Sequence, residues 1–256
     1  MKLRSILVAL LVLAVVALGV VAIVHSRTQA CKTLQIMVTN AKSDPDITPK
    51  EISNLLHKNG VSPIGRSVKA LNRPAMERAL RQNVWFDSIT ALRCQGSKVI
   101  LEVRAKEPLV QVFPVEGDPY MLSSNGEFLP WHDAINRKFF VLNGEVHSQY
   151  APGMNVQKSR ERALQNALRV ALYLRSDATA SAQYTQLYAA QNGDIQLYNN
   201  LSGHLVLVGN GENMKVKMQN LQKVYSQGLV YLPMQQYDKL DARYKGKVYA
   251  SKKVYN

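Results

Sequence analysis

The sequence predicts an α+β protein that begins with a single transmembrane helix and continues as two folded domains. Three observations predict this: an unbroken apolar run over residues 6–24, two helix-start signals followed by a hairpin, and a later series of short strands with flanking amphipathic helices. We expect a cytoplasmic tail at residues 1–5, the transmembrane helix at 6–24, a first domain at 25–106 and a second domain at 107–256.

The apolar run is long enough to cross a bilayer as a helix. Its 19 residues rise about 1.5 Å each, which gives a helix of about 28 Å, close to the thickness of the hydrocarbon core. Lys2 and Arg4 precede the run and favour a cytoplasmic N-terminus. The alternatives are a cleaved signal peptide, or a lipoprotein in which Ala30 precedes a modified Cys31.

The part of the chain after the run is strongly basic. The protein has 32 Lys and Arg residues, of which two precede the run, so 30 basic and 18 acidic residues follow it, a net charge of +12. Beyond a membrane the expected partners are anionic lipid headgroups, acidic wall polymers or an acidic protein, and not nucleic acid. A solvated basic surface is the alternative. Cys31 and Cys94 either pair in an oxidising compartment or remain separate.

The secondary structure of the first domain is predicted by short local sequence patterns. Residues 34–39 alternate like a strand, and Thr48 opens a helix as an N-cap, with proline next and Glu51 as capping-box partner. A second helix starts at Pro74. Residues 89–104 then form a hairpin around a Gln-Gly-Ser turn. Two short helices that cover one face of a three-stranded sheet are the natural packing of these elements.

The second domain is predicted to be a mixed β-domain with two helices. Its strands are predicted at 109–113, 120–122, 128–129, 139–142, 195–197, 205–208 and 247–251, and its helices at 159–175 and 214–225. The run at 205–208 is apolar throughout, which favours a central position in the sheet. The last strand is basic and carries tyrosine.

Residue patterns of catalytic, cofactor-binding and metal sites are lacking. The five histidines are scattered, and neither a Gly-x-Ser-x-Gly turn nor a His-Glu-x-x-His motif occurs. Gly209-Asn210-Gly211 precedes a helix but has no P-loop lysine, so a tight turn explains it better than a phosphate site. We therefore expect no enzyme, no cofactor, no metal and no small-molecule substrate, and instead a binding function.

Several stretches resemble the FtsQ/DivIB family of bacterial cell-division proteins. Residues 31–106 look like the family's POTRA domain, and 102–108 resemble its basic junction that ends in proline. The hairpin at 123–128 is similar to a glycine hairpin of the family, although Ser123 replaces the usual acid. The ending at 237–248 has the family's Asp-x-Arg-Tyr pattern followed by valine. The short cytoplasmic tail is a second departure from the family.

The resemblance implies a function and a place in the cell. It implies a non-catalytic, bitopic scaffold of the divisome in the inner (cytoplasmic) membrane, with its C-terminal domain on the periplasmic, extracytoplasmic side. Such a scaffold links small division proteins of the FtsB/FtsL type at the septum and helps control septal peptidoglycan synthesis. The alternatives are a POTRA-bearing accessory of envelope protein translocation or assembly, and a protein that binds wall glycan.

The expected partner site is the last strand, whose free edge accepts a partner strand. We assign this edge to six residues: Tyr244, Lys247, Val248, Tyr249, Ala250 and Ser251. The tyrosines serve as anchors, and the lysines around them attract an acidic partner. Charged edge strands also prevent unwanted pairing, which is the competing interpretation.

A second candidate surface lies in the POTRA-like domain, where six basic residues fall in or between the predicted helices. They are Lys58, Arg66, Lys69, Arg73, Arg78 and Arg81. A solvated face explains them, and contact with lipid headgroups or another divisome protein is the alternative.

Overall fold

The computed structural model divides into two compact units, with the division between Ala105 and Lys106. It describes residues 12–19, 30–39, 47–132, 139–228 and 236–252. Residues 12–19 are helical, and the rest of the predicted anchor and the predicted tail fall outside the described residues. Within the described ranges, no helix has both the length and the apolar character that crossing a bilayer requires.

The first unit is a three-stranded sheet with two helices, which confirms the predicted element order. Its strands are β1 (Thr33–Thr39), β2 (Phe86–Gln95) and β3 (Lys98–Ala105), and its helices are α1 (Pro49–Lys58) and α2 (Arg73–Leu80). The strand order is β1-β3-β2, with β1 parallel to β3 and β2 antiparallel to it. The two helices contact each other, and each also contacts an outer strand.

Both helices of this unit begin with a side-chain N-cap: Thr48 was predicted, whereas Asn72 was not, and its helix begins at Arg73 rather than at Pro74. The Thr48 hydroxyl accepts a hydrogen bond from the amide of Glu51 at 3.2 Å, and the Asn72 side chain does the same for Ala75 at 3.0 Å. The Glu51 carboxylate accepts a hydrogen bond from the Asn83 amide at 2.9 Å and so ties α1 to the segment after α2. Local capping therefore also supports the packing of the two helices.

The second unit is built on one mixed sheet of nine strands. The strands are β4 (Pro108–Val112), β5 (Tyr120–Ser123), β6 (Phe128–Pro130), β7 (Phe140–Gly144), β8 (Tyr184–Ala189), β9 (Ile195–Asn199), β10 (Leu205–Gly209), β11 (Tyr237–Asp241) and β12 (Tyr249–Lys252). Their spatial order is β12-β11-β10-β9-β8-β7-β4-β5-β6. The pairs β4–β7, β7–β8 and β10–β11 are parallel.

Three helices cover one face of this sheet: α3 (Arg162–Ser176), α4 (Ala178–Gln183) and α5 (Met214–Lys223), which continues as a π-helical turn (Val224–Gly228). The apolar stripe of α3 is fully buried, with Leu164 and Leu174 at 0% exposure. The side chains of the sheet that face these helices form one continuous core with them. The order of strands and helices thus leaves β12 at one margin of the sheet and β6 at the other.

Several elements differ from the prediction. Helix α4 and strand β8 were not predicted, and β11 was indicated only by the family resemblance. In β8, a register shift between Tyr184 and Gln186 breaks the alternation that identifies a strand. Helix α3 begins at Arg162 rather than at 159. The carboxylate of the preceding residue, Glu161, accepts hydrogen bonds from the backbone amides of His147 and Ser148, both at 2.7 Å, and so holds this residue outside the helix. The last strand begins two residues later than predicted.

Candidate functional site: the C-terminal strand

The candidate site is the margin of the nine-stranded sheet at β12. This strand is four residues long, all of them exposed, and it pairs with β11 in antiparallel fashion. No other strand in the described part of the chain pairs with its outer side. An unpaired strand edge presents backbone donors and acceptors that another chain can use.

The hydrogen bonds of β11 establish which way its backbone groups point. The amide of Ala242 donates to the carbonyl of Leu207 on β10 at 3.0 Å, in the parallel register that pairs Leu207 with Asp241. Backbone groups of successive strand residues point to opposite sides. The even-numbered residues of β11 therefore bond to β10, and its odd-numbered residues face β12.

The same alternation assigns the two sides of β12. Asp241 and Lys239 of β11 pair with Tyr249 and Ser251, whose backbone groups are therefore used inside the sheet. Ala250, which lies opposite Leu240, turns its own N–H and C=O away from β11. The free edge is thus centred on the backbone of Ala250.

The side chains of this strand lie on two different surfaces. Ala250 is on the same face as its cross-strand neighbour Leu240, which is buried in the core. Tyr249 and its neighbour Asp241 are on the opposite face. Val248, just before the strand, is half-buried and packs against the core. A strand added at this edge would meet an apolar margin on one side and a polar aromatic one on the other.

An arginine holds the segment that leads from β11 to β12. Two nitrogens of the Arg243 guanidinium donate to the Asp241 carboxylate, at 2.7 and 2.9 Å, and a third donates to Asp194 at 3.2 Å. The hydrogen bonds from Arg243 hold the pKa of the Asp241 carboxyl below its ordinary value and raise the pKa of Arg243 itself. The methylenes of Arg243 lie over Gly209, where a side chain would crowd them.

A turn and an aromatic pair complete the connection. Gly246 adopts a φ of 72°, which favours glycine, and the amide of Lys247 donates to the carbonyl of Tyr244 at 3.3 Å. The rings of Tyr244 and Tyr249 meet edge to face, with centroids 5.0 Å apart. The two tyrosines are 54% and 52% exposed, so together they form an aromatic surface at the margin of the sheet.

The charge of this margin is positive. From Lys239 to Lys252, Asp241 is the only acidic residue, and its carboxylate is neutralised by Arg243. The lysines of this segment are Lys239, Lys245, Lys247 and Lys252. No group of His, Cys, Asp or Glu suited to a metal ion occurs among the described residues. A positively charged margin with exposed tyrosines attracts acidic polypeptides electrostatically.

The six residues assigned from the sequence are brought together, but with different placements. Tyr249, Ala250 and Ser251 are in β12, whereas Tyr244 is in the turn and Lys247 and Val248 precede the strand. The prediction of a strand from 247 is therefore corrected: Lys247 belongs to the turn around Gly246, and the strand begins at Tyr249. Sequence reasoning missed Lys252 as a strand residue and the contact from Arg243 to Asp194. The Asp-x-Arg motif was the available signal for the contact between Arg243 and Asp241, because residues two apart in an extended chain point to the same side.

Comparison with known proteins identifies both units. The family described as FtsQ/DivIB, C-terminal related, matches residues 107–251, and a POTRA-like domain matches residues 29–104. No curated protein matches the chain. The first match covers more than half of the 256 residues and includes the strand edge described above. The chain therefore belongs to the FtsQ/DivIB family, a family of non-catalytic scaffold proteins of cell division, as its motifs predicted.

Proposed function

We propose that this protein is a bitopic membrane scaffold of the bacterial divisome. It links small division proteins of the FtsB/FtsL type at the septum and helps control septal peptidoglycan synthesis. Family membership supports the role in division, and the observation that carries the binding mechanism is the outer edge of β12, which none of the described strands pairs with. Residues 6–24 serve as the anchor in the inner membrane, with the two folded units on its extracytoplasmic side.

Strand addition explains how such a small surface binds. The partner lays one strand against β12, and its backbone groups pair with the N–H and C=O of Ala250 and of its outward-facing neighbours. Tyr244 and Tyr249 provide rigid aromatic area beside the new strand. The surrounding lysines favour a partner strand that carries Asp or Glu and steer its approach.

The anchor contributes without touching the partner. Confinement to the same membrane converts binding to another anchored protein into an encounter at a high effective concentration. A short strand edge with moderate intrinsic affinity is then sufficient. A membrane anchor that raises the local concentration and a short binding strand agree with the four-residue length of β12.

The competing interpretation is that charge and shortness protect the edge from pairing. Four lysines and a short strand are features that also prevent aggregation. The two interpretations differ in one measurable respect, because only a partner site needs the outward N–H of Ala250. A substitution that removes this single donor separates them.

The test is Ala250→Pro in the full-length chain, co-expressed with the FtsB-type and FtsL-type proteins of its host. Proline removes an N–H that does not bond to β11, so the fold is retained. The partner strand, however, loses a hydrogen-bond donor and clashes with the pyrrolidine ring. Ala250→Val is the matched control, because it keeps the N–H and suits a strand. Loss of partner capture for proline alone is expected. Equal capture by both variants would refute strand addition.

Ser251→Pro separates folding from binding. The amide of Ser251 faces β11, so proline there breaks a bond inside the sheet and lowers the Tm, whereas Ala250→Pro leaves it nearly unchanged. Depletion in the host tests the wider role. Long filaments without septa support division, while normal septation with defective envelope protein export favours a translocation accessory.

A further inference from the structure

The first unit holds the chain that arrives from the anchor against a specific loop. The amide of Cys31 donates to the carbonyl of Arg66 at 2.9 Å, and the amide of Gly65 donates back to Cys31 at 2.8 Å. Ala30 forms an antiparallel bridge with Ser67. Since Cys31 is 2% exposed, this junction is a packed part of the unit rather than a loose tail.

The hairpin between β2 and β3 meets the same junction. The amide of Lys32 donates to the carbonyl of Ser97 at 2.7 Å. Three segments therefore converge where the chain joins the unit: residues 30–36, 60–71 and 94–99. We call them together the junction surface.

The junction surface has one sign of charge. It carries four basic residues, Lys32, Arg66, Lys69 and Lys98, and its three segments contain neither Asp nor Glu. Beside them Ile64 exposes 53% of its surface. Basic side chains around an exposed aliphatic residue match the interface of an anionic bilayer, where cations meet phosphates and an apolar group enters the headgroup region.

The length of the connecting chain places this surface near the membrane. Six residues lead from Val24, the end of the apolar run, to Ala30, and a fully extended chain of that length spans about 21 Å. Headgroups extend beyond the hydrocarbon core by several ångströms on each side. Ala30 is therefore at most about 21 Å from the end of the apolar run, and any less extended path brings the junction surface to the headgroups.

Two of the junction's basic residues, Lys32 and Lys69, are exposed, and Arg66 donates one nitrogen to the Gly60 carbonyl. Arg73, by contrast, donates to the Ile89 carbonyl and pairs with Glu77, so it is used inside the unit. The side chains of Asn59 and Gln82 hydrogen-bond to each other, so the end of α2 lies next to the segment that begins at Gly60. A charge control for the junction surface therefore has to lie outside this unit.

We propose that the junction surface binds anionic phospholipid headgroups, with Ile64 inserted among them. The proposal rests on the membrane anchor of the proposed function. It adds an orientation to that function, because a unit bound to the bilayer at this surface has one fixed orientation relative to the membrane. Each basic residue near an anionic surface is expected to strengthen the contact about fivefold.

Charge reversal in the full-length chain tests the electrostatic part. The chain is placed in nanodiscs of phosphatidylcholine with or without phosphatidylglycerol, and hydrogen exchange is measured over residues 60–71. Slower exchange with phosphatidylglycerol is expected, and 0.5 M salt should abolish the difference. Lys32→Glu with Lys69→Glu should also abolish it, since loss of two charges alone weakens the contact about 25-fold.

Lys215→Glu with Lys223→Glu is the matched control, because both lysines are exposed on α5 of the second unit and the change in net charge is equal. This variant should keep the lipid-dependent protection. Exchange that is independent of phosphatidylglycerol in the natural sequence would overturn the proposal. Equal loss in both charge-reversed variants would also overturn it, because it would show a general charge effect without a defined surface.

A photoreactive residue tests the position of Ile64 directly. Placed at Ile64 it should form lipid adducts, and placed at Leu201, an exposed leucine of the second unit, it should form almost none. Failure of the chain to enter nanodiscs would contradict the anchor. Normal incorporation without adducts at Ile64 would overturn the lipid contact alone, since partner capture through β12 is measured separately.

Discussion

The clamp formed by Arg243 leads to a prediction whose size follows from the structure. Arg243→Ala removes the guanidinium that donates to Asp241 and Asp194. A charge-assisted hydrogen bond contributes about 1.5–3 kcal/mol, and solvent screening lowers this, because the Arg243 side chain is 36% exposed. We expect a loss of about 1–2 kcal/mol in the free energy of unfolding, or a fall of about 3–6 °C in Tm.

The assay combines thermal unfolding of the full-length chain with hydrogen exchange in β12. The clamp holds the connection between β11 and β12, so the amides of Tyr249 and Ser251 should exchange faster in the variant. Lys245→Ala is the control, because it removes the same charge from an exposed neighbouring position and should change stability by less than about 0.5 kcal/mol. Equal Tm and exchange in both variants would refute the clamp.

The pH dependence has a defined sign. The pKa of Asp241 is lowered in the folded protein by the hydrogen bonds from Arg243. The contribution of Asp241 to the free energy of unfolding is therefore complete above its ordinary pKa of 3.8. It is lost as the pH falls below 3.8 and passes through the lowered pKa of the folded state. Arg243→Ala should remove this part of the acid dependence, and a variant that unfolds with the same acid midpoint as the natural sequence would contradict the assignment.

Three further substitutions test the fold. Gly144→Ala should destabilise strongly, by about 3 kcal/mol or more, because a Cβ at φ 94° would overlap the backbone of Ala189, and a soluble variant with unchanged Tm would contradict this. Thr48→Ala should cost about 1 kcal/mol in urea unfolding through loss of the N-cap. Leu164→Ala should cost about 2–5 kcal/mol, with Leu201→Ala as the exposed control.

Elements that depend on neighbouring residues were predictable. Thr48 with the following proline specifies the start of α1 because the cap bonds within three residues, and the turn at Gln95-Gly96-Ser97 joins two strands that pair with each other. The hairpin around Gly126 was found for the same reason, since Gly126 has a φ of 80° at the turn. The prediction failed where a register shift at β8 hid the strand period.

The candidate site was predictable only in part. Tyrosine, lysine and valine in the last strand indicated an interaction edge, but the side of each backbone group depends on pairing with β11, whose register no local pattern gives. Likewise, Arg243 and Asp194 meet across 49 positions of sequence. The junction surface depends on three segments that are far apart in the chain and meet only through backbone hydrogen bonds.

Short-range chemistry determined the helices, the turns, the apolar run and the sign of the charge, because each depends on residues within one turn or one strand of each other. The tertiary structure alone decided that β12 is outermost among the described strands, that the backbone of Ala250 points away from β11, and that Arg66 lies beside Cys31. These features depend on strand order and register, which are set by how distant segments share one core.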